Sequence, residues 1–169
     1  EVKPLILGAI TMYMVGLIDD IYDLRPYLKL AGQIVAALIV TFYGITIDFI
    51  SLPIGPTIHF GIFSIPITVI WIVAITNAIN LIDGLDGLAS GVSALALMTI
   101  GFIAILQANI FIIMICCVLL GSLLGFLFYN FHPAKIFLGD SGALMIGFII
   151  GFLSLLGFKN ITFIALFFP

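Results

Sequence analysis

Long apolar runs separated by short polar segments dominate this chain. The runs cover residues 4–18, 30–47, 63–82, 88–106, 110–129 and 141–158. An α-helix needs about 20 apolar residues to cross the roughly 30 Å hydrocarbon core of a bilayer, and each run is near that length. The pattern therefore predicts an all-α, polytopic bundle of six transmembrane helices, and the short run at residues 161–168 is interpreted as a truncated seventh span.

The composition agrees with a location in the lipid bilayer. Hydrophobic residues make up 64% of the 169 positions and charged residues only 8%, whereas soluble domains carry about 25% charged residues. We expect one integral membrane domain over residues 1–169. Because no Met precedes Glu1 and the last run stops at Pro169, we interpret it as a fragment lacking N-terminal and C-terminal spans. Five Lys or Arg against eight acids leave no basic stripe, which argues against nucleic acid as a partner.

The charged residues collect on one side of the predicted bundle. If the spans alternate in direction, segments 19–29, 83–87 and 130–140 share a side of the membrane. The cations on that side are Arg25, Lys29 and Lys135. The positive-inside rule makes this the cytoplasmic side of the plasma membrane. The same segments hold six aspartates: Asp19, Asp20, Asp23, Asp83, Asp86 and Asp140.

Two other patterns concern packing. The connection at residues 45–62 has β-branched residues around the turn signal at residues 53–56, which predicts a short external β-hairpin. The pairs Gly121/Gly125 and Gly147/Gly151 have the four-residue spacing that lets transmembrane helices approach closely. Such faces also allow a homodimer.

Six aspartates beside apolar spans would repel one another in a partly desolvated setting, so a cation is expected among them. Mg²⁺ prefers carboxylate and amide oxygens and commonly takes one or two carboxylates, with waters and substrate phosphates completing its shell. Mg²⁺, with Mn²⁺ as a substitute, therefore fits better than zinc, because paired Cys and His ligands are missing from the sequence. The alternative is that each loop carboxylate is simply solvated.

Spacing suggests how these side chains are presented. Asn80 and Asp83 are three residues apart at the end of a span and so share a helix face, and glycines after Asp83 let Asp86 point back toward the same cavity. Asp140 and Ser141 are placed to cap the helix that follows, and capping is the simplest interpretation of both. The same helix N-terminus is also suited to bind a phosphate.

Three ordered motifs carry a family resemblance. Residues 16–20 read Gly-Leu-Ile-Asp-Asp, residues 80–89 read Asn-Leu-Ile-Asp-Gly-Leu-Asp-Gly-Leu-Ala, and residues 137–142 read Phe-Leu-Gly-Asp-Ser-Gly. Together they resemble the polyprenyl-phosphate N-acetylhexosamine-1-phosphate transferases, the bacterial membrane type of glycosyltransferase family 4. Residues 19–25 look most similar to the enzymes that start teichoic acid or O-antigen (lipopolysaccharide) synthesis. The related phospho-N-acetylmuramoyl-pentapeptide transferases are the second choice, because their first loop is usually longer and more basic.

The resemblance implies specific roles. The catalytic acids are Asp19, Asp20 and Asp83. The metal ligands are Asn80 and Asp140. The substrate-binding residues are Lys29 for a phosphate, and Asp86, Asn130 and Phe137 for the nucleotide. His132 has no assigned role, and the family's His-rich late loop would lie beyond Pro169, so the isolated fragment is expected to be inactive.

The implied reaction is a Mg²⁺-dependent phosphoglycosyl transfer. An oxygen of undecaprenyl phosphate attacks the sugar-bearing phosphorus of UDP-N-acetylglucosamine, UMP leaves, and a lipid-linked diphosphate sugar forms. Three rivals remain: a cation or proton transporter with a relay of intramembrane acids, a phosphatidyltransferase acting on a CDP-alcohol, and a non-catalytic membrane subunit. The transporter predicts acids at mid-span, whereas these lie at span ends. The phosphatidyltransferase motif is missing, because Leu85 and Asp86 follow Asp83-Gly84.

Overall fold

A computed structural model describes residues 1–50 and 57–158. Within these ranges the chain forms six α-helices: α1 (Val2–Tyr22), α2 (Pro26–Phe42), α3 (Ser64–Ile82), α4 (Leu88–Leu106), α5 (Ile110–Asn130) and α6 (Gly139–Phe158). Two short strands, β1 (Phe49–Ile50) and β2 (Ile58–His59), and a 3₁₀-helix at Gly61–Phe63 lie between α2 and α3. The expected all-α helical bundle is confirmed.

Among the described residues, five helical segments are long and apolar enough to cross a membrane: Val2–Tyr22, Gly61–Ile82, Leu88–Leu106, Ile110–Asn130 and Gly139–Gly157. The protein is therefore a multi-pass membrane protein. The second predicted span is shorter and is displaced from residues 30–47 to Pro26–Phe42. It begins earlier because proline favours the first helical position and because Lys29 lies inside the helix, paired with acids. The predicted seventh span at residues 161–168 lies outside the described residues.

The predicted β-hairpin is present as a minimal strand pair. Phe49 pairs with His59 and Ile50 with Ile58, in antiparallel register. The turn signal at residues 53–56 lies outside the described residues. This connection follows α2 and leads through the 3₁₀-helix into α3.

Helix α6 is the centre of the bundle and packs against α1, α3 and α4. Its approach to α3 is close: a Cβ on Gly147 would lie 2.8 Å from Thr76 Cα, and one on Gly151 would lie 3.5 Å from Ile72 Cα. The predicted packing role of these two glycines is confirmed. By contrast, a Cβ on Gly121 or Gly125 of α5 would meet no atom of another helix within 4 Å in the described part of the chain, so their predicted packing role stays a prediction.

Polar side chains also join the helices inside the bundle. Gln33 of α2 is fully buried and exchanges two amide hydrogen bonds with Asn77 of α3, at 3.1 and 2.6 Å. Trp71 of α3 donates its indole N–H to Ser154 Oγ of α6 at 3.0 Å. Hydrogen bonds of this kind stabilise membrane helix pairs by about 0.6 kcal/mol each on average. They help to set α2 and α6 against α3, and so the positions of the residues at the helix ends.

Candidate active site

The first component of the site is the buried acid at the end of α1. Asp19 Oδ1 accepts the backbone N–H of Leu24 at 2.8 Å, which closes the chain reversal after the helix. The reversal is sharp because Asp23, the residue that ends α1, adopts a left-handed conformation with φ of 52°. The other oxygen, Asp19 Oδ2, lies 2.6 Å from Lys29 Nζ of α2. Asp19 therefore orients both the turn and the lysine.

Lys29 links α1 and α2 to the central helix. Its Nζ also lies 2.6 Å from Asp140 Oδ1 in the first turn of α6. The same oxygen accepts a hydrogen bond from the side-chain amide of Asn80, near the end of α3. Four helices thus present one acid, one lysine, one amide and a second acid to a single point. Hydrogen bonds that involve charged groups contribute about 1.5–3 kcal/mol each, more than neutral ones.

Asp20, the neighbour of Asp19, has different partners. Its Oδ1 accepts the backbone N–H of Asp140 at 2.8 Å, and its Oδ2 accepts that of Ser141 at 3.1 Å. Helix α6 begins at Gly139, so Asp140 and Ser141 lie inside its first turn and not at the capping position. The interpretation of these two residues as caps of their own helix is wrong. Asp20 provides the cap from α1.

Asp83 follows directly after α3 and completes the acidic group. Its pKa is raised to about 6, chiefly by burial and in addition by the neighbouring charges of Asp140 and Asp20. The repulsion by the other carboxylates makes ionisation of the Asp83 side chain less favourable. The smaller, coulombic part of this shift indicates that Lys29 does not fully neutralise the group of acids. Asp19, Asp20, Lys29, Asn80 and Asp140 are joined by direct contacts, or by contacts to one helix turn, and Asp83 lies close to them.

The donor set can be tested against a metal ion. Within residues 1–50 and 57–158, no three His, Cys, Asp or Glu side chains are grouped so as to hold a metal by themselves. Mg²⁺ does not need such a cage, because it commonly takes one or two carboxylates and keeps waters or phosphates. The side chains of Asp140 and Asn80, which are hydrogen-bonded to each other, fit that chemistry, and Asp83 with its raised pKa lies nearby. The roles of Asn80 and Asp140 as metal ligands stay a prediction.

A second cluster joins the loop after α3 to the loop after α5. Asp86 Oδ2 accepts the backbone N–H of Ala134 at 3.1 Å and lies 2.9 Å from His132 Nδ1. The Ala134 N–H, and then His132, hold the pKa of Asp86 below its usual value. Asp86 is therefore an ionised acceptor, and His132 Nδ1 carries the hydrogen that it donates. His132 had no assigned role from the sequence; its only signal was a position beside a proline in an Asp-rich neighbourhood.

Asn130 connects the same two loops through hydrogen bonds of its side chain. Its side chain is buried; Oδ1 accepts from Ser90 Oγ at 2.8 Å and from Gly87 N at 3.2 Å, and Nδ2 donates to Ile136 O at 2.9 Å. Phe137, which follows Ile136, is 75% exposed. The predicted nucleotide residues are thus divided between the exposed Asp86 and Phe137 and a buried Asn130 whose bonds go to protein groups. Ser90 carried no signal in the sequence.

The fold and this site define the class of protein: a multi-pass helical membrane protein with an acid, lysine and amide cluster at one end of its bundle. A sequence profile of Glycosyl transferase family 4 matches residues 3–158. The chain belongs to that family, which confirms the resemblance carried by the three motifs.

Particular relatives refine this assignment. The chain is 44% identical over 165 residues to the probable undecaprenyl-phosphate N-acetylglucosaminyl 1-phosphate transferase of Bacillus subtilis (strain 168), covering 96% of this chain and 46% of the relative. It is 38% identical over 161 residues to the phospho-N-acetylmuramoyl-pentapeptide-transferase of Streptococcus thermophilus (strain CNRZ 1066), covering 89% and 47%. For the enzyme of that name from Campylobacter jejuni (strain RM1221), the identity is 33% over 185 residues, covering 92% and 52%. The chain spans about half the length of the curated relatives it matches.

Proposed function

We propose that the protein containing this chain transfers N-acetylglucosamine-1-phosphate from UDP-N-acetylglucosamine to undecaprenyl phosphate. UMP is released, and the product is the lipid-linked diphosphate sugar that starts synthesis of a cell-wall or surface polysaccharide such as teichoic acid or lipopolysaccharide. The observation that carries the proposal is the convergence of Asp19, Lys29, Asn80 and Asp140 at one end of a membrane bundle. The 44% identical relative, whose name states this activity, supports the choice of sugar.

The acids and the lysine have distinct tasks in this proposal. Asn80 and Asp140, with Asp83 close by, would hold Mg²⁺ or Mn²⁺, which when bound neutralises charge on the diphosphate. Lys29, held by Asp19, places an ammonium beside that site for a substrate phosphate. A phosphate monoester has a second pKa near 6, so the lipid nucleophile is mostly dianionic at neutral pH. Asp83, whose pKa of about 6 matches, is suited to accept the proton of the remaining monoanion.

The nucleotide would lie on the second cluster. The exposed ring of Phe137 offers a face on which a uracil can stack. Asp86 uses Oδ2 for His132 and Ala134, so Oδ1 would be the acceptor for a donor group of the nucleotide. Asn130 would contribute by keeping the two loops together.

We further propose that this end of the bundle faces the cytoplasm. Arg25, Lys29 and Lys135 lie in the connecting segments or helix starts at the same end as the acids, which agrees with the positive-inside rule. Single cysteines at Arg25 and Lys135 should be protected from a membrane-impermeant thiol reagent in intact cells, on a background without Cys116 and Cys117. Labelling from outside would contradict this orientation.

The activity is tested on the full-length protein in nanodiscs that contain undecaprenyl phosphate. Radiolabelled UDP-N-acetylglucosamine and UDP-N-acetylmuramoyl-pentapeptide are supplied in parallel with Mg²⁺, and release of UMP and of lipid diphosphate sugar is followed. We expect turnover of the first substrate only. Turnover of only the pentapeptide substrate would favour the second candidate, which the 38% identical relatives suggest. Turnover of neither would contradict the proposal.

A further inference from the structure

The start of helix α6 has a requirement that its own sequence does not meet. The first backbone N–H groups of a helix have no partner within the helix and need an acceptor. The residue before Gly139 is Leu138, whose side chain has no acceptor atom, whereas Ser, Thr, Asp or Asn usually supply one. The acceptor here comes from 120 residues earlier in the chain, where Asp20 binds the N–H groups of Asp140 and Ser141.

The packing around Asp20 is built for this contact. One helical turn before Asp20, a Cβ on Gly16 would lie 2.4 Å from Ser141 Cα and 2.6 Å from Asp140 O, closer than atoms can pack. Across the contact, Gly139 has φ of +70°, and a Cβ there would lie 3.1 Å from Asp20 Oδ2. Glycines on both helices therefore let α1 approach the first turn of α6 until the carboxylate reaches two N–H groups. A carboxylate at this end of a helix also interacts favourably with the helix dipole.

The two neighbouring aspartates consequently face different groups. Asp19 uses one oxygen for Lys29 and the other for the backbone N–H of Leu24 in the turn after α1, whereas both oxygens of Asp20 accept backbone hydrogens of α6. A base that takes a proton from a substrate would lose its negative charge, which would weaken the hydrogen bonds that these oxygens accept from the N–H groups. That change would weaken the cap on the helix turn that carries Asp140.

We propose that Asp20 is a positioning residue: by capping α6 it holds Asp140 where Lys29 and Asn80 reach it, and it does not touch the reacting atoms. This inference rests on the proposed function only for the role of Asp140 as a metal ligand. It separates the roles of two acids that the family resemblance treats as a catalytic pair. The capping contact itself can be measured without any substrate.

The test compares Asp20→Asn, Asp20→Ser and Asp20→Ala in the full-length protein. Asn and Ser retain an acceptor for one of the two N–H groups, and Ala retains none. We expect kcat to fall by no more than about tenfold for the Asn and Ser variants, and at least about tenfold further for Ala, in the range that loss of a cap produces. The Mg²⁺ concentration for half-maximal rate should rise for Ala and stay near the wild-type value for Asn.

A second measurement is independent of turnover. Hydrogen exchange of the peptide that contains residues 139–145 should be faster in Asp20→Ala than in the wild type, and intermediate in the Asn and Ser variants. Gly139→Ala, which crowds Asp20 from the opposite side, should speed exchange in the same peptide. If Asp20→Ala does not fold, the Asn and Ser variants and Gly139→Ala provide the same comparison.

Three results would overturn the inference. The first is a loss of turnover that is equal for the Asn and Ala variants and as large as that of Asp140→Asn, since only a reacting carboxylate explains it. The second is normal exchange at the start of α6 in Asp20→Ala, which would show that the cap is not needed. The third is normal turnover of Asp20→Ala, which would show that the cap does not support the reaction. If the protein transferred no sugar phosphate at all, the proposed function would fail while the exchange data still decided the role of Asp20 as a cap.

Discussion

Replacing Asp140 by Asn removes a single charge at the point where four helices meet. The substituted side chain keeps its size and an acceptor oxygen, so Lys29 and Asn80 can still donate to it. The α6 cap is untouched, because Asp20 binds the backbone N–H of residue 140 and not its side chain. Lys29 also retains its second acid, Asp19. The variant therefore tests the charge of Asp140 with little change in the packing around it.

The expected effects on stability and on rate differ in size. A hydrogen bond to a charged group contributes about 1.5–3 kcal/mol and a neutral one about 1, so the bond from Asn80, which becomes neutral, loses roughly 1 kcal/mol, while the bond from Lys29 keeps its charged donor. Part of that loss is offset, because the charge of Asp140 is one cause of the raised pKa of Asp83. In contrast, a neutral amide oxygen does not supply the negative charge of the carboxylate that would hold Mg²⁺. A loss of about 4 kcal/mol of transition-state stabilisation corresponds to a rate about a thousandfold lower.

Both quantities can be measured on one full-length preparation. Thermal unfolding in detergent should shift by only a few degrees, while UMP release from UDP-N-acetylglucosamine falls by about a thousandfold and recovers in part when Mg²⁺ is raised. Asp48→Asn, the same change in the connection before β1, serves as the matched control and should keep near wild-type turnover. A fall of less than tenfold in a folded Asp140→Asn protein would refute the assignment of Asp140 as a metal ligand.

Three further expectations follow from individual contacts. The pKa of Asp83 is raised in the folded protein, so protonated Asp83 contributes to stability below about pH 4, and this contribution is lost as pH rises through about 6. With EDTA present, Asp83→Asn should abolish this part of the pH dependence of the melting temperature. The variant should also be more stable than the wild type at pH 7. His132→Ala removes one of two donors to the exposed Asp86 and should raise KM for the UDP-sugar by no more than about fivefold, with kcat unchanged; a large fall in kcat would contradict a role confined to binding. Asn130→Ala leaves the buried hydroxyl of Ser90 and the partly buried N–H of Gly87 without their acceptor and should destabilise the protein by about 2–3 kcal/mol, measured by thermal unfolding; an unchanged melting temperature would show that these hydrogen bonds do not support the fold.

The helices were largely predictable from the sequence, because each membrane span requires a long run of apolar residues. The grouping of Asp19, Asp83 and Asp140 was also predictable, since alternating spans bring their loops to one side. The start of α2 was predicted wrongly because the charge of Lys29 interrupts the apolar run. Inside the protein this charge is tolerated, since two acids from other helices compensate it.

The source of the α6 cap could not be predicted from local sequence. Asp140 and Ser141 look like capping residues in any local window, and the actual cap depends on how closely α1 approaches α6. That distance is decided by Gly16 and by the packing of the whole bundle. The role of Asn130 in connecting the two loops was missed for the same reason: its partners include Gly87 and Ser90, more than 35 positions away.

The electrostatics of the site give a reason for a cation that is independent of the family resemblance. Asp19, Asp20, Asp83 and Asp140 converge, and within the described residues Lys29 is the basic side chain that forms ion pairs with them. Burial is the largest cause of the raised pKa of Asp83, and the charges of Asp140 and Asp20 add to it. A nucleotide diphosphate is itself anionic, so these carboxylates would repel it, and Lys29 is already shared between Asp19 and Asp140. Positive charge therefore has to be added before a diphosphate can lie beside Asp140, which is the role that the proposed Mg²⁺ would fill.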